Sequence, residues 1–404
     1  MVLGWHPPPY PQPRSGHSII LIQQLLSPSL VSLSVSTGPL DDRDVTIMQS
    51  FLANFSSFCP DLKSIAINPG EHQVMPRTTI EILSRAITHL QYLERFNIPT
   101  PVDNVALMHV ALSESLKTLA LVLHPKESNL QQVFIPSDTI PFRYIKDLFL
   151  SVWDLHFVTS LLRTQDQKFC SFVLHYHSPP TVKAVNALFT ALASRQRAHS
   201  IQSITLAPDP LVALNEVDEF DTQLYVSYET FRPLSSFCHL RRLVIIDYTH
   251  WFSFDNDELI SLARNWSSLQ VLRLDCRRSL CPWKSKKYIA LRGLLSLLKC
   301  CPDLHELCIP LDATGVPTDR EDVVCNPALT FLEFPQSPID DASLVQHFFA
   351  RHFPSVTQIH ASFNQDPEGT SEYSSLWYEV NDYLRRIPRK TTHPRLASPH
   401  VSAL

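Results

Sequence analysis

The stretch KCCPDLHELCIP, residues 299–310, gathers three cysteines, a histidine and two carboxylates within twelve residues. Thiolate, imidazole and carboxylate are the donors that hold zinc, and a thiol beside a histidine is half of a nucleophilic pair. Both chemistries require the donor atoms to converge. HFFARH sets His347 and His352 five apart, whereas a zinc-protease helix needs a four-residue offset and a glutamate after the first histidine. FDNDE (254–258) lacks the glycine and distal glutamate of a calcium loop and reads as a helix cap. NEVDEFD (215–221) places four carboxylates in one segment, which reads as a solvated loop or as an insertion for a basic partner. DYTHWFSFD (247–255) brings Tyr248 and Trp251 close to Phe252 and Phe254. Aromatics of this kind are core or edge packing, or else anchors for a partner.

Glycine removes several function classes. The chain of 404 residues has seven, and the closest two are twelve apart. A dinucleotide-binding turn, a phosphate-cradling loop and a nucleophile elbow all need glycines two to five apart, so none is expected. The net charge of −5 argues against nucleic acid and membrane surfaces as partners. No apolar run is long enough to span a bilayer, and the first residues lack the pattern of a secretory signal. Nine cysteines without paired spacing suggest reduced thiols, hence a cytoplasmic or nuclear protein. With 18 histidines and nine cysteines, accidental pairs are many, and no catalytic set, metal site or cofactor is assigned.

The opening stretch has an echo, FCPDLKSIAINP, at residues 58–69. Both belong to a pattern of apolar-x-x-apolar-x-apolar. It starts at Leu30, Leu62, Leu93, Leu116, Ile145 and Phe169, then at Ile201, Leu240, Leu269, Leu304, Leu329 and Val356. The mean spacing is about 30 residues, near that of leucine-rich repeats. Helical patterns lie between. Thr78 with Glu81 reads as a capping box before Ile80, Leu83 and Ile87. Asp255 with Glu258 reads as another, before Leu259, Leu262 and Trp266. Neither a lone short strand nor a lone helix buries its apolar face, so the units must stack.

Alignment of the units answers the opening question. In seven of the units the residue three before the first apolar position is Cys59, Leu90, Ala198, Phe237, Trp266, Cys301 or Phe353. A slot that exchanges cysteine with phenylalanine and tryptophan is a packing slot. The next position holds Pro28, Pro60, Pro302, Pro327 or Pro354, which ends a helix and sets up a strand. Cys301 then faces the core while alternation turns Cys308 to the opposite face, so the thiols diverge.

The expected fold is an α/β leucine-rich-repeat solenoid, a right-handed horseshoe with short parallel strands on the concave face and helices on the convex face. Residues 1–29 form a proline-rich N-terminal segment and 30–362 about 12 irregular repeats. Residues 363–387 form a capping helix whose apolar face is Leu376, Val380, Tyr383 and Ile387, and 388–404 a disordered tail.

FDNDELISLARNWSSLQVLRLD (254–275) and IDDASLVQHFFARHFPSVTQIHA (339–361) resemble the repeats of F-box/leucine-rich-repeat proteins. The irregular lengths and LLSPSLVSLSVS (25–36) look most like the divergent members found in mushroom-forming fungi. The resemblance implies a substrate receptor of a ubiquitin ligase, with an unknown protein as substrate. The F-box, which starts with Leu-Pro-x-Glu and docks on a Skp-type adaptor, has no counterpart in these residues, so that adaptor is a partner only if an F-box precedes them. The other expectation is an interaction scaffold without ligase coupling.

In either case the working residues are those that alternate outward. Across successive units they are Arg242 and Val244, Val271 and Arg273, Glu306 and Cys308, then Phe331 and Glu333. They form a mixed-charge ladder with an apolar centre, to which Tyr248 and Trp251 add an aromatic edge.

Overall fold

The computed structural model describes residues 2–5, 26–36, 42–68, 76–98, 102–123, 142–164, 168–193, 198–209, 225–247, 251–276, 288–317, 326–361 and 370–387. The strands are β1 (Val2–Trp5), β2 (Ser32–Ser36), β3 (Ser64–Asn68), β4 (Arg95–Ile98), β5 (Thr118–Leu123) and β6 (Asp147–Val152). Next come β7 (Ser171–Tyr176), β8 (Ser203–Pro208), β9 (Tyr225–Ser227), β10 (Arg242–Asp247), β11 (Trp251–Ser253) and β12 (Val271–Cys276). The last are β13 (Ile289–Ala290), β14 (Glu306–Cys308), β15 (Leu311–Asp312), β16 (Phe331–Glu333) and β17 (Ile359–His360). Thirteen of them form one sheet, and all of its neighbours pair in parallel. Within that sheet the spatial order follows the chain order. The pairs β9–β11 and β13–β15 stand apart as two-stranded sheets.

All twelve apolar signatures become strands of that sheet. The thirteenth, β1, lies within residues 1–29 and continues the register, with Leu3 opposite Leu33. Parallel neighbours require a crossover, and helices supply most of them. These are α1 (Asp42–Phe58), α2 (Arg77–Ile87), α3 (Asn104–Leu112), α4 (Leu155–Thr164) and α5 (Val182–Leu192). They continue with α6 (Tyr228–Phe231), α7 (Asn256–Ala263), α8 (Leu291–Cys300), α9 (Ala342–His352) and α10 (Thr370–Arg386). The result is a solenoid-like α/β arrangement. Its core is one continuous cluster in which Leu33, Ile65, Phe96, Leu119, Leu148 and Phe172 of successive strands meet the apolar sides of the helices.

The turns into several of the strands repeat one device. The backbone N–H of Leu62, Leu240, Leu269, Leu304 and Val356 donates to the carbonyl three residues earlier, on Cys59, Phe237, Trp266, Cys301 and Phe353. Each of these five acceptor residues is buried, together with Leu90 and Ala198. The slot read from the sequence is thus a packing slot, and proline fits the second position of such a turn because its φ is already set.

Two helix readings need correction. The N-cap of α2 is Pro76, without a side-chain cap, so Thr78 lies inside the helix and forms no capping box. Thr78 and Thr79 accept instead from Gln49 Nε2, at 2.9 and 3.0 Å. In α10 the buried positions are Trp377, Val380 and Leu384. Leu376, Tyr383 and Ile387 only flank the core, so the apolar face is rotated from the expected one. The large indole of Trp377 takes the centre, and its Nε1 donates to Ser337 O at 2.9 Å. The Asp255–Glu258 capping box is present, with both hydrogen bonds at 2.9 Å.

Candidate functional site

Alternation sends every second strand residue to the face opposite the core. The sheet register places Phe149, Val173, Thr205, Val244, Arg273, Cys308, Glu333 and His360 side by side in one row there. A second row runs Ser203, Arg242, Val271, Glu306, Phe331. The eight ladder residues named from the sequence are therefore neighbours in the predicted order. Their exposure differs from expectation. Val244, Val271 and Cys308 are buried, Arg273, Glu306, Phe331 and Glu333 are half-buried, and only Arg242 is fully exposed. Tyr248 lies outside the described residues, as does NEVDEFD. Trp251 opens β11, opposite Tyr225 of β9. Phe252 and Phe254 are buried with their rings edge-on to Phe231, at 5.8 and 4.8 Å between centroids.

Arg273 organises the first polar cluster on this face. Its Nη1 donates to Glu306 Oε1 at 3.0 Å and its Nη2 to Glu333 Oε2 at 2.7 Å. Its Nη2 lies 4.0 Å from Asp275 Oδ2, and its guanidinium carbon 5.7 Å from the centre of the Phe331 ring. The Phe331 ring also stacks on His360, at 5.0 Å and 21°. Burial works against the charge on Arg273, but Cys308, Glu306 and Glu333 outweigh it and hold the guanidinium above its ordinary value. Asp275, Cys308 and Glu333 bring three donor atoms within 4.8 Å of one another, a set whose chemistry suits a divalent cation. The Arg273 guanidinium already acts as the cation among these carboxylates. Cys308 is pushed to higher pKa by burial first, then by Asp275 and Glu333, which keeps the thiol protonated.

Cys301 lies in the core, as the register requires. Its thiol donates to Trp266 O at 3.4 Å and Ala263 O at 3.8 Å, and burial, with Cys300 beside it, pushes its pKa to about 12. The three cysteines of the opening stretch do not converge on one point, and Cys301 and Cys308 lie on opposite faces of the sheet.

The second polar cluster escaped the sequence reading. At the C-terminal ends of β6, β7 and β8 the ladder continues one residue further, with His177 N donating to Val152 O and Asp209 N to Tyr176 O, both at 2.8 Å. Ser151 Oγ donates to Asp209 Oδ2 at 2.8 Å and lies 2.8 Å from His177 Nε2, which is itself 3.5 Å from Asp209 Oδ2. Trp153 stacks on His177 with centroids 3.8 Å apart and planes 17° apart. His175 is held below its ordinary value chiefly by burial, with Asp209 opposing. Serine, histidine and aspartate meet here, yet hydroxyl and carboxylate share one imidazole nitrogen. In a charge-relay triad the carboxylate takes the other nitrogen. This arrangement leaves no ring nitrogen between nucleophile and carboxylate. The signal that could have found it was the alternation itself, extended past Tyr176 and Pro208.

No protein-family profile matches the chain. No curated protein matches it either.

Proposed function

We propose that this protein is a leucine-rich-repeat recognition module of the horseshoe type, whose concave face binds a protein partner. The observation that carries this reading is that each unit gives one strand to the main sheet. Twelve apolar signatures enter one parallel sheet in chain order, which brings outward residues from distant parts of the sequence into two contiguous rows. A surface of that kind holds mixed charge and aromatic groups in fixed register, as interfaces do. The two polar clusters are tied within themselves, so they supply a rigid floor. Arg242 and His360, both exposed, are the groups left to reach a partner.

The specific role that fits the resemblance is substrate receptor of an F-box-type ubiquitin ligase, in the cytoplasm or nucleus. Among the described residues no disulfide joins the seven cysteines and no helix is long and apolar enough to cross a membrane. The alternative is a scaffold without ligase coupling. The experiment is affinity capture with the whole chain, compared with the double variant Arg242→Glu, His360→Glu. A partner lost by the variant at unchanged circular dichroism supports the face. Retention of every partner defeats it. Recovery of a stoichiometric Skp-type adaptor separates receptor from scaffold.

A further inference from the structure

Because the strands are parallel, all of them begin at one rim of the sheet, and the crossover helices end there. That rim carries a basic stripe across β3 to β7. Lys63, Glu94, Lys117 and Lys146 occupy consecutive rungs, shown by the backbone bonds from Glu94 N to Lys63 O, Lys117 N to Glu94 O and Lys146 N to Lys117 O. Arg95, Arg143 and Lys168 flank the row, and all six basic side chains are exposed. The carboxylates of the same turns and strand starts are Asp61, Glu94, Glu114 and Asp147. Among the described residues, six against four leave a net charge of +2 on this rim, in a chain whose total is −5.

The carboxylates are also partly engaged. Glu94 bridges Lys63 at 3.2 Å and Lys117 at 2.7 Å, and Asp147 accepts from Thr118 at 3.3 Å. Arg95, Lys146 and Lys168 form no ion pair among the described residues. Two tyrosines are interleaved with the cations. Tyr92 is 55% exposed in the turn before β4 and Tyr144 is 44% exposed in the turn before β6, with Arg143 lying 5.7 Å over its ring. Two rungs separate them, about 10 Å at the spacing of neighbouring strands. Three residues of an extended peptide cover about the same distance.

We infer that this rim is a docking surface for an extended acidic segment of a partner protein, with an apolar or aromatic side chain seated between the tyrosines. It adjoins the face proposed above, because Arg95 and Asp147 continue the row of Ser203 and Arg242. Helix C-termini favour basic neighbours and account for part of the lysine content, but they do not call for exposed tyrosines. Nucleic acid fits less well. Its binding relies on a concentrated positive field, and here Glu94 interrupts the lysine row within a chain of net negative charge. A short acidic segment needs only the local charge, since fields beyond about 8 Å are screened at physiological salt.

The test uses the full chain and fluorescence anisotropy. The probes are a labelled peptide of alternating Glu and Ser with a central Phe, the same peptide with Lys for Glu, and a single-stranded oligonucleotide. The acidic peptide should bind best and weaken as salt rises. Lys117→Glu with Lys146→Glu should weaken it at least about tenfold, and so should Lys146→Gln with Lys168→Gln if the first variant misfolds. Lys183→Glu, at the other end of the molecule's helices, should leave binding unchanged. Equal binding of the acidic and basic peptides would overturn the inference, as would full binding by the folded rim variants. Tighter binding of the oligonucleotide would replace the acidic segment by nucleic acid.

Discussion

The side chain of Asn381 pairs with both backbone groups of Ile359. Its Oδ1 accepts from Ile359 N and its Nδ2 donates to Ile359 O, each at 2.7 Å. Ile359 belongs to β17, the last strand of the sheet, so one amide side chain on α10 does the work of a further strand. Edge strands with bare backbone groups recruit other chains. Replacement of Asn381 by Ala should cost about 1–3 kcal/mol, since it leaves a donor and an acceptor without partners. It should also raise self-association. Urea denaturation and light scattering measure the two effects, and a variant as stable and monomeric as its parent would show that α10 seals the edge by apolar contact alone.

The thiols should separate by position in the repeat. Cys238 is exposed, whereas Cys59 and Cys301 fill packing slots. A thiol reagent should modify Cys238 in the native protein and reach Cys301 only on unfolding, because burial suppresses its thiolate. Cys301→Ser should cost about 1 kcal/mol, at the low end for a buried hydroxyl, because the carbonyls of Trp266 and Ala263 can accept from it. Rapid modification of Cys301 in the folded chain would contradict the packing slot.

Much of the fold was legible because a repeat states its rule many times. The Leu30 to Val356 signatures placed twelve strands, and the Cys59–Cys301 slot resolved the opening cysteines without any structure. What stayed hidden involved choices between locally equivalent options. Thr78 followed by Glu81 satisfies the capping rule, but Pro76 ends the extended chain two residues earlier and starts the helix there. Leu376 and Trp377 both suit an apolar face, and the choice depends on the shape of the last repeat. The Ser151–His177–Asp209 cluster was hidden for a different reason. Its members lie 26 and 58 residues from Ser151, and only the register brings them together. The same register buried Val244 and Val271, which alternation alone had left on the surface.

Arg273 should be a keystone of stability as much as of any interface. It is the cation among Asp275, Glu306 and Glu333, and its side chain is 18% exposed. Arg273→Ala should destabilise the fold by about 3–5 kcal/mol, the usual cost of removing one partner from a buried charge cluster. Removing the guanidinium also frees Asp275, Cys308 and Glu333 to act as metal ligands. Added zinc should then raise the thermal midpoint of the variant and leave that of the parent unchanged. A variant with parental stability would mean that the carboxylates are satisfied by other groups.

His175 gives the molecule a pH dependence of definite sign. Burial holds its imidazole below the ordinary value of 6.5, with Asp209 only partly opposing. The folded state therefore binds that proton less readily than the unfolded chain does. The resulting stability is fully present above the ordinary value and is lost as pH falls through the depressed one. His177 and Asp209 lie at the same end of the sheet, 3.5 Å from each other. A His175→Asn variant isolates the contribution, because those groups remain. Urea midpoints compared at about pH 7.5 and about pH 5 should fall further for the parent than for the variant. Equal losses in both would show that His175 meets enough water in the folded chain to titrate freely, and that the acid sensitivity of the sheet lies elsewhere.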